Sequence, residues 1–260
     1  MRLALCVEYN GTNYYGWQKQ NTHLDKTIQY FVDKAISKIA DEEISTTCAG
    51  RTDTGVHAFG QIIHFDTEKK RSDYKWITGI NSNMPNDIII KSIFHTPDDF
   101  HSRYSAIDRT YRYIILNQKQ QSVFVSSQSL HYPDYLDLQK IELASKHMLG
   151  EKDFSCFRSS GCTSKSPMKN IKSINISKNH NYIAIDITAN SFMYHMVRNI
   201  IGELLLIGSG DKSPESINGL IASCDRSLCA TMVPACGLYL MSISYPSKYE
   251  ILTEQSFNIF

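Results

Sequence analysis

The chain has 260 residues, and its 27 Lys and Arg against 26 Asp and Glu give a formal net charge of +1. Hydrophobic residues make up 42% and charged residues 20%, which is ordinary globular usage and excludes a disordered, collagen-like or coiled-coil chain. The apolar runs 3–7 and 200–207 are too short for a signal peptide or for the ~20 residues of a membrane span. We therefore expect a cytoplasmic protein without a membrane partner, whose seven cysteines are reduced thiols.

The first hundred residues predict an α+β domain. Leu and Val alternate with other residues at 3–7, which indicates a strand, and a glycine-containing aromatic loop follows it. The apolar stripe from Ile28 to Ile39 predicts a helix, with Asp25 as its N-cap. Strands at 44–48, 59–65 and 88–94 and a helix opened by Ser72 complete the order β-α-β-β-α-β, the ferredoxin-like arrangement.

The second half nearly repeats that order. Its predicted elements are a strand from 111, a helix at about 138–149 ended by Gly150, a polar loop to 170, a hairpin of 171–177 and 182–189, an apolar helix over 193–205, a short extra helix from Pro214 and a strand at 238–243. We therefore predict two ferredoxin-like halves with mainly antiparallel sheets, residues 1–105 and 106–260. The two halves are expected to meet face to face or edge to edge.

The loop between the strands at 44–48 and 59–65 contains Gly50-Arg51-Thr52-Asp53-Thr54-Gly55. Glycines permit a positive φ, so they present Asp53 at a sharp, exposed bend. Arg51 favours the charged form of the carboxylate, which suits a nucleophile. A turn-forming Asp bonded to its own backbone is the alternative. D-T-G also occurs in aspartic proteases, but that chemistry needs two carboxylates, and the chain has a single D-T-G.

Cationic residues concentrate in two segments that also contain aromatic residues. Four Lys and Arg stand against one Asp in 101–119, and six stand against one Asp in 152–178. Cations for phosphates and aromatic rings for unpaired bases are typical of binding to single-stranded or looped RNA, with solvated surface charge as the alternative. Arg198 lies beside an apolar helical stripe, where it either covers the core with its stem or pairs with a buried carboxylate. No metal-ligand spacing and no phosphate-binding glycine loop occurs, so we expect no cofactor and no metal.

The segment Gly50–Ala58 resembles the signature of the TruA-type tRNA pseudouridine synthases. Four further segments resemble that family in the same order along nearly the whole chain: 16–20, 100–113, 195–202 and 237–240. The departures are few, with Lys152 where the family usually has His, Asn10 where Asp is common, and Met193-Tyr194 in place of Leu-His.

The resemblance implies an isomerase that converts uridine to pseudouridine at positions 38, 39 and 40 of the tRNA anticodon stem-loop. It would act as a homodimer with no cofactor or metal, and its catalytic cleft would lie between the two halves. Asp53 would be the nucleophile or would stabilise the sugar cation, and Arg198 would pair with it. Tyr111 would stack on the flipped uracil and help remove the C5 proton. Arg51, His57, Arg103 and Tyr111 would bind the substrate, Arg51 by contacting the RNA backbone or by filling the place of the extruded base.

A non-catalytic RNA-binding module is the alternative from another class, because β-α-β-β-α-β is also the topology of the RRM. That module stacks bases on aromatic residues of its central strands. The predicted strand 59–65 lacks the usual K/R-G-F-x-F type of pattern, and an RRM leaves the Asp53 loop without a purpose.

Overall fold

The structure of the protein is a computed structural model that describes residues 1–20 and 22–252. The chain divides into two compact units, of which unit 1 comprises Met1–Arg109 with residues 239–252 and unit 2 comprises Thr110–Leu238. The described residues form ten strands and five α-helices, which confirms the predicted α+β class.

The strands are β1 (Arg2–Tyr9), β2 (Thr47–Cys48), β3 (His57–Asp66), β4 (Ile88–Thr96), β5 (Asp108–Asn117), β6 (Leu130–Tyr132), β7 (Gly150–Asp153), β8 (Met168–Asn179), β9 (Tyr182–Ala189) and β10 (Leu238–Ser244). The helices are α1 (Ile28–Ala40), α2 (Asp73–Asn81), α3 (Leu138–Lys146), α4 (Met196–Ser209) and α5 (Ser216–Ser223).

Unit 1 contains the predicted order β1-α1-β2-β3-α2-β4, with the strands in the sheet order β4-β1-β3-β2. The central strand β1 is antiparallel to both of its neighbours, so that Leu5 lies opposite Ile63 on β3 and Ile93 on β4. Val32 of α1 and Trp76 of α2 are fully buried, and the two helices pack against each other. Ser72 caps α2 as predicted, because its side chain accepts the N–H of Lys75.

Two local predictions in unit 1 are wrong. The N-cap of α1 is Thr27, whose extended backbone separates the helix from a short 3-10 turn that contains Asp25. The strand predicted at 44–48 is shorter in the structure, where it consists of β2 alone. Side chains of α1 accept the N–H groups of residues that precede β2. Ser37 Oγ accepts the Ile44 N–H at 2.9 Å, and Asp33 Oδ1 accepts the Thr46 N–H at 3.1 Å.

Unit 2 contains a sheet in the order β5-β9-β8-β7, with β6 parallel to β5. The predicted hairpin is confirmed: β8 and β9 are antiparallel, and His180 adopts a positive φ of 51° in the connecting turn. The polar loop predicted as far as 170 is wrong, since β7 pairs with the beginning of β8 there. Because β7 is short and polar, no apolar alternation marks it in the sequence.

The helix α4 begins at Met196 rather than at 193, because His195 is left-handed with a φ of 62°. It ends at Ser209, and the C-cap residue Gly210 donates its N–H to the Ile207 carbonyl. Fourteen residues long, α4 is apolar nearly all round. Among residues 1–20 and 22–252, no helix has the length and hydropathy needed to cross a membrane.

The strand predicted to close the second half is β10, and from Tyr239 onward it belongs to unit 1. It pairs in parallel with the start of β3, where Tyr239 lies opposite His57. The Tyr239 ring stacks on both His57 and Phe59, at centroid distances of 4.6 and 5.3 Å. Stacking of the buried His57 and Tyr239 rings, with the half-buried Phe59 beside them, stabilises the pairing of two strands so distant in the chain.

Candidate active site

Asp53 lies in a tight turn immediately before β3. Its carbonyl accepts the N–H of Val56 at 3.1 Å, which closes a four-residue turn. Gly55 occupies the third position with a φ of +78°, a conformation that favours glycine. The Asp53 residue is half-buried. The turn therefore holds a half-buried aspartate just before the start of a buried strand.

The loop after β1 supports this turn from below. Trp17 donates its N–H to the Thr52 carbonyl at 3.0 Å, and Gly55 donates to the Tyr14 carbonyl at 3.3 Å. The two backbones approach so closely that a Cβ atom on Gly16 would lie 2.5 Å from the Thr52 oxygen. A Cβ on Gly11 would lie 1.9 Å from the Val56 oxygen. These close contacts explain why the first loop has glycine at the positions where it packs against the Asp53 turn.

Buried polar side chains complete the support. The hydroxyl groups of Tyr9 and Thr52 are 2.7 Å apart, and the Trp17 ring is fully buried beside Tyr9. His57 is only 2% exposed, and its Nδ1 accepts the Gly11 N–H at 3.1 Å. His57 is therefore buried close to the turn and packs against Tyr239.

The segment before Arg51 is held equally firmly. The fully buried Gln61 side chain accepts the Gly50 N–H at 3.3 Å and donates to the Gly50 carbonyl at 2.5 Å. The Arg109 guanidinium donates to the carbonyls of Arg103 at 2.7 Å and Ala49 at 3.4 Å. Arg109 thus ties the segment of Arg103 to the segment of Arg51.

The two exposed arginines of unit 1 lie on segments that the Arg109 guanidinium connects. Burial raises the pKa of the Cys48 thiol to about 12, while the positive charges of Arg51 and Arg103 oppose this shift. Arg51, Asp53, His57 and Arg103 thus form one neighbourhood of unit 1.

In unit 2, Tyr111 and Arg198 are the predicted catalytic residues. Tyr111 on β5 is 9% exposed, with the Phe192 ring edge-on at 5.1 Å. Tyr113, two residues along the same strand, donates its hydroxyl to the Pro234 carbonyl at 2.8 Å. Arg198 donates its Nε to the adjacent Val233 carbonyl, also at 2.8 Å. Because alternate strand residues share a face, Tyr111 and Tyr113 lie on the same side of β5.

The start of α4 is fixed by buried contacts. Asn199 is fully buried, donates to the Phe157 carbonyl at 2.8 Å and accepts from Arg226 at 3.0 Å. Arg198 precedes it in the first turn of the helix. The position of its guanidinium is therefore determined by the helix and by Val233 together.

Several cations of the predicted RNA-binding segments have structural partners. Arg112 forms a two-pronged ion pair with Asp186 at 2.7 and 2.9 Å. Arg158 donates to the carbonyls of Cys162 and Ser164, at 2.9 and 3.1 Å, and Lys169 is buried. The counts of charge in the sequence therefore overstate the number of cations that face solvent.

Sequence reasoning missed Gln61, Phe192 and the Val233 carbonyl. Gln61 stands in an apolar strand, where a polar residue is a signal of a buried hydrogen-bonding role. The Val233 contact is made by the backbone, so residue types give no sign of it. Within the described part of the chain, no group of three or more His, Cys, Asp or Glu side chains is arranged to hold a metal ion.

Comparison with known proteins gives a consistent assignment. The sequence model of the tRNA pseudouridine synthase family matches residues 5–105 and 144–246. A curated tRNA pseudouridine synthase A from Vibrio cholerae is 45% identical over 249 residues, covering 96% of this chain and 94% of that protein. The enzyme of that name from Enterobacter sp. is 42% identical over 250 residues, covering 96% and 92%.

Among solved structures, a Cbf5-Nop10-Gar1 complex aligns with a TM-score of 0.35 and 10% identity, covering 78% of this chain and 45% of that one. This similarity is too low to support a conclusion. The family match extends over both units, and the curated relatives are 42 to 45% identical over 96% of the chain. The chain therefore belongs to the tRNA pseudouridine synthase family, a family of isomerases.

Proposed function

We propose that the protein converts uridine to pseudouridine at positions 38, 39 and 40 of the tRNA anticodon stem-loop, with Asp53 as the nucleophile. The identity of 45% to a tRNA pseudouridine synthase A over nearly the full length supports the reaction. The observation that carries the choice of Asp53 is its turn: the residue is half-buried, and its neighbours Thr52 and Gly55 form backbone hydrogen bonds with the first loop.

The reaction is an isomerisation, so the atoms of substrate and product are the same. The bond between C1′ of the ribose and N1 of uracil breaks, and a bond between C1′ and C5 forms. The C5 proton leaves, and N1 gains a proton. Nothing is oxidised or hydrolysed, and the enzyme must mainly supply a nucleophile, hold the detached base and place it for reattachment.

We assign the role of nucleophile to Asp53. A nucleophilic carboxylate splits one difficult step into two easier ones. Its effectiveness depends on placement, and a 1 Å displacement of a reacting group is enough to lower a rate about 10²-fold. The contacts of Gly16 and Trp17 with Thr52, and of Tyr14 with Gly55, support a carboxylate whose backbone is fixed before substrate arrives.

The remaining roles are divided between the units. In unit 2, Tyr111 stacks on the flipped uracil and takes part in removal of the C5 proton, and Arg198 contributes positive charge. In unit 1, exposed Arg51 and Arg103 bind the RNA backbone. His57, buried beneath the turn, contributes to substrate binding by supporting the loop. Extrusion of the base costs a few kcal/mol and is cheapest in or beside a loop, which suits the anticodon arm.

We further propose that the protein is a homodimer that works in the cytoplasm, where its tRNA substrate is found. Light scattering of the purified protein tests the oligomeric state. A mass near twice 29.6 kDa supports the dimer, and a mass near 29.6 kDa contradicts it.

The experiment that tests the function uses unmodified tRNA transcripts that carry one uridine at position 38, 39 or 40, with cytidine at the other two. After incubation, carbodiimide labelling and primer extension locate pseudouridine. We expect conversion in each of the three transcripts and none in a fourth that lacks all three uridines. Binding without conversion would favour the RRM-like alternative, and conversion only outside the anticodon arm would refute the assignment of positions.

A further inference from the structure

The segment His101–Tyr104 of unit 1 presents an ordered aromatic ring to solvent. Tyr104 is 77% exposed, although large aromatic side chains are usually mostly buried. Its ring centroid lies 4.3 Å from that of the His101 imidazole, with 34° between the planes. The Arg103 guanidinium lies over the same ring, 5.8 Å from its centroid.

Hydrogen bonds fix this segment around His101. The Nδ1 of His101 accepts the N–H groups of Arg103 at 3.1 Å and Tyr104 at 3.2 Å. The His101 carbonyl accepts the Ser105 N–H at 2.9 Å, and the His101 N–H donates to Ser105 Oγ at 3.0 Å. Burial lowers the pKa of His101, which favours the neutral ring that this acceptor role requires. An exposed ring that is already ordered loses little conformational entropy on binding.

The same segment is tied to the neighbourhood of Asp53. Ser102 donates its hydroxyl to the Thr47 carbonyl at 2.8 Å. Arg109 joins the carbonyls of Arg103 and Ala49, as described above. The segment that carries the exposed ring is therefore connected by hydrogen bonds to Thr47 and Ala49, which precede the Asp53 turn in unit 1.

We infer that His101–Tyr104 is a stacking platform for an unpaired base of the RNA substrate, and that Arg103 binds the adjoining phosphate. An exposed aromatic ring beside a guanidinium is the combination by which proteins hold unstacked bases. Exposed Arg51 lies two residues after Ala49, whose carbonyl Arg109 connects to that of Arg103, and this second cation favours a polyanion over a neutral partner. The choice of tRNA as the RNA rests on the proposed function, whereas the platform itself rests on the geometry of the segment.

Three variants test the platform by equilibrium binding to an unmodified tRNA transcript. Base–aromatic stacking is worth about 1–3 kcal/mol, so Tyr104→Ala should weaken binding about 5- to 150-fold. Tyr104→Phe keeps the ring and should bind within about threefold of the wild type. Tyr74→Ala is the matched control, because Tyr74 is 76% exposed in the same unit but lies on α2. It should bind like the wild type.

The salt dependence of binding separates stacking from charge. Tyr104→Ala should leave the slope of log K against log salt unchanged, whereas Arg103→Gln should reduce it by about 1. Circular dichroism and melting curves of all variants should match the wild type, because the substituted side chains are exposed.

Unchanged affinity in Tyr104→Ala, or an equal loss in Tyr74→Ala, would overturn the platform. Loss of affinity in Tyr104→Phe would overturn it as well, because the hydroxyl rather than the ring would then bind. These results do not depend on catalysis. If the wild-type protein forms pseudouridine and Tyr104→Ala binds tRNA normally, the proposed function is supported and the platform is refuted. If the wild-type protein forms no pseudouridine and the Tyr104 variants bind as expected, the platform is supported and the proposed function is refuted.

Discussion

Gly16→Ala should separate the stability of the fold from the placement of Asp53. Gly16 has a φ of +80°, and a left-handed conformation costs a residue with a Cβ about 1–2 kcal/mol. The new methyl group would also lie 2.5 Å from the Thr52 carbonyl oxygen and 3.0 Å from the Asp53 carbonyl carbon. Overpacking of this kind costs a further ~1–3 kcal/mol, or else the Asp53 turn moves to relieve it.

Gly150→Ala is the matched control for backbone strain alone. Gly150 has a φ of +88°, but a Cβ there would meet nothing within 4 Å. We expect Gly150→Ala to lower the free energy of unfolding by about 1–2 kcal/mol and to leave turnover unchanged. Gly16→Ala should lower it by about 2–5 kcal/mol and reduce turnover by about 100-fold.

Urea unfolding and single-turnover pseudouridine formation on the same samples provide the two readouts. Wild-type turnover in a folded Gly16→Ala variant would refute the view that the first loop positions Asp53. Equal losses of stability and activity in the two variants would also refute it, because strain rather than contact with the turn would then account for both.

Two further predictions concern a buried histidine and the stacking tyrosine. Burial lowers the pKa of His64 to about 4, with smaller contributions from His101 and Arg2, against ~6.5 when unfolded. Between pH 6.5 and 4, His64 is therefore protonated in the unfolded chain and neutral in the folded one. The free energy of unfolding should fall by about 3 kcal/mol as the pH drops from 6.5 to 4. His64→Asn should flatten that slope in pH-dependent urea unfolding, and an unchanged slope would contradict the assignment. Tyr111→Phe should bind tRNA normally but turn over about 10²-fold more slowly in single-turnover assays, because it loses a proton-transfer group and keeps the ring. Tyr135→Phe, an exposed control in the same unit, should bind tRNA and turn over like the wild type. A large loss of affinity in Tyr111→Phe would contradict the stacking role.

Much of the fold follows from local patterns. The alternation around Leu5 and the stripe through Val32 and Ile36 predict β1 and α1 correctly, because the apolar residues of both patterns are buried in the fold. Short polar strands such as β7 have no comparable apolar pattern in the sequence. The pairing of β10 with β3 joins residues about 180 positions apart, and it depends on ring packing around Tyr239 that no local pattern reveals.

The candidate site divides in the same way. Glycines around Asp53 predict a bend, and Gly55 does adopt the positive φ that such a bend needs. The support of that bend comes from backbone carbonyls at Thr52 and Tyr14, which any residue type supplies, so the sequence does not indicate it. The cations illustrate the opposite difficulty. Arg112 counts as a candidate phosphate ligand until the structure shows Asp186 beside it.

The most direct test of the account is tritium release from tRNA labelled at uracil C5, measured for Asp53→Asn beside Asp98→Asn. The second variant makes the same substitution at an exposed carboxylate of unit 1 outside the turn. We predict that Asp53→Asn releases no tritium while it still binds tRNA, and that Asp98→Asn releases tritium at the wild-type rate. Wild-type release from a folded Asp53→Asn variant would contradict the assignment of Asp53 as the reacting carboxylate.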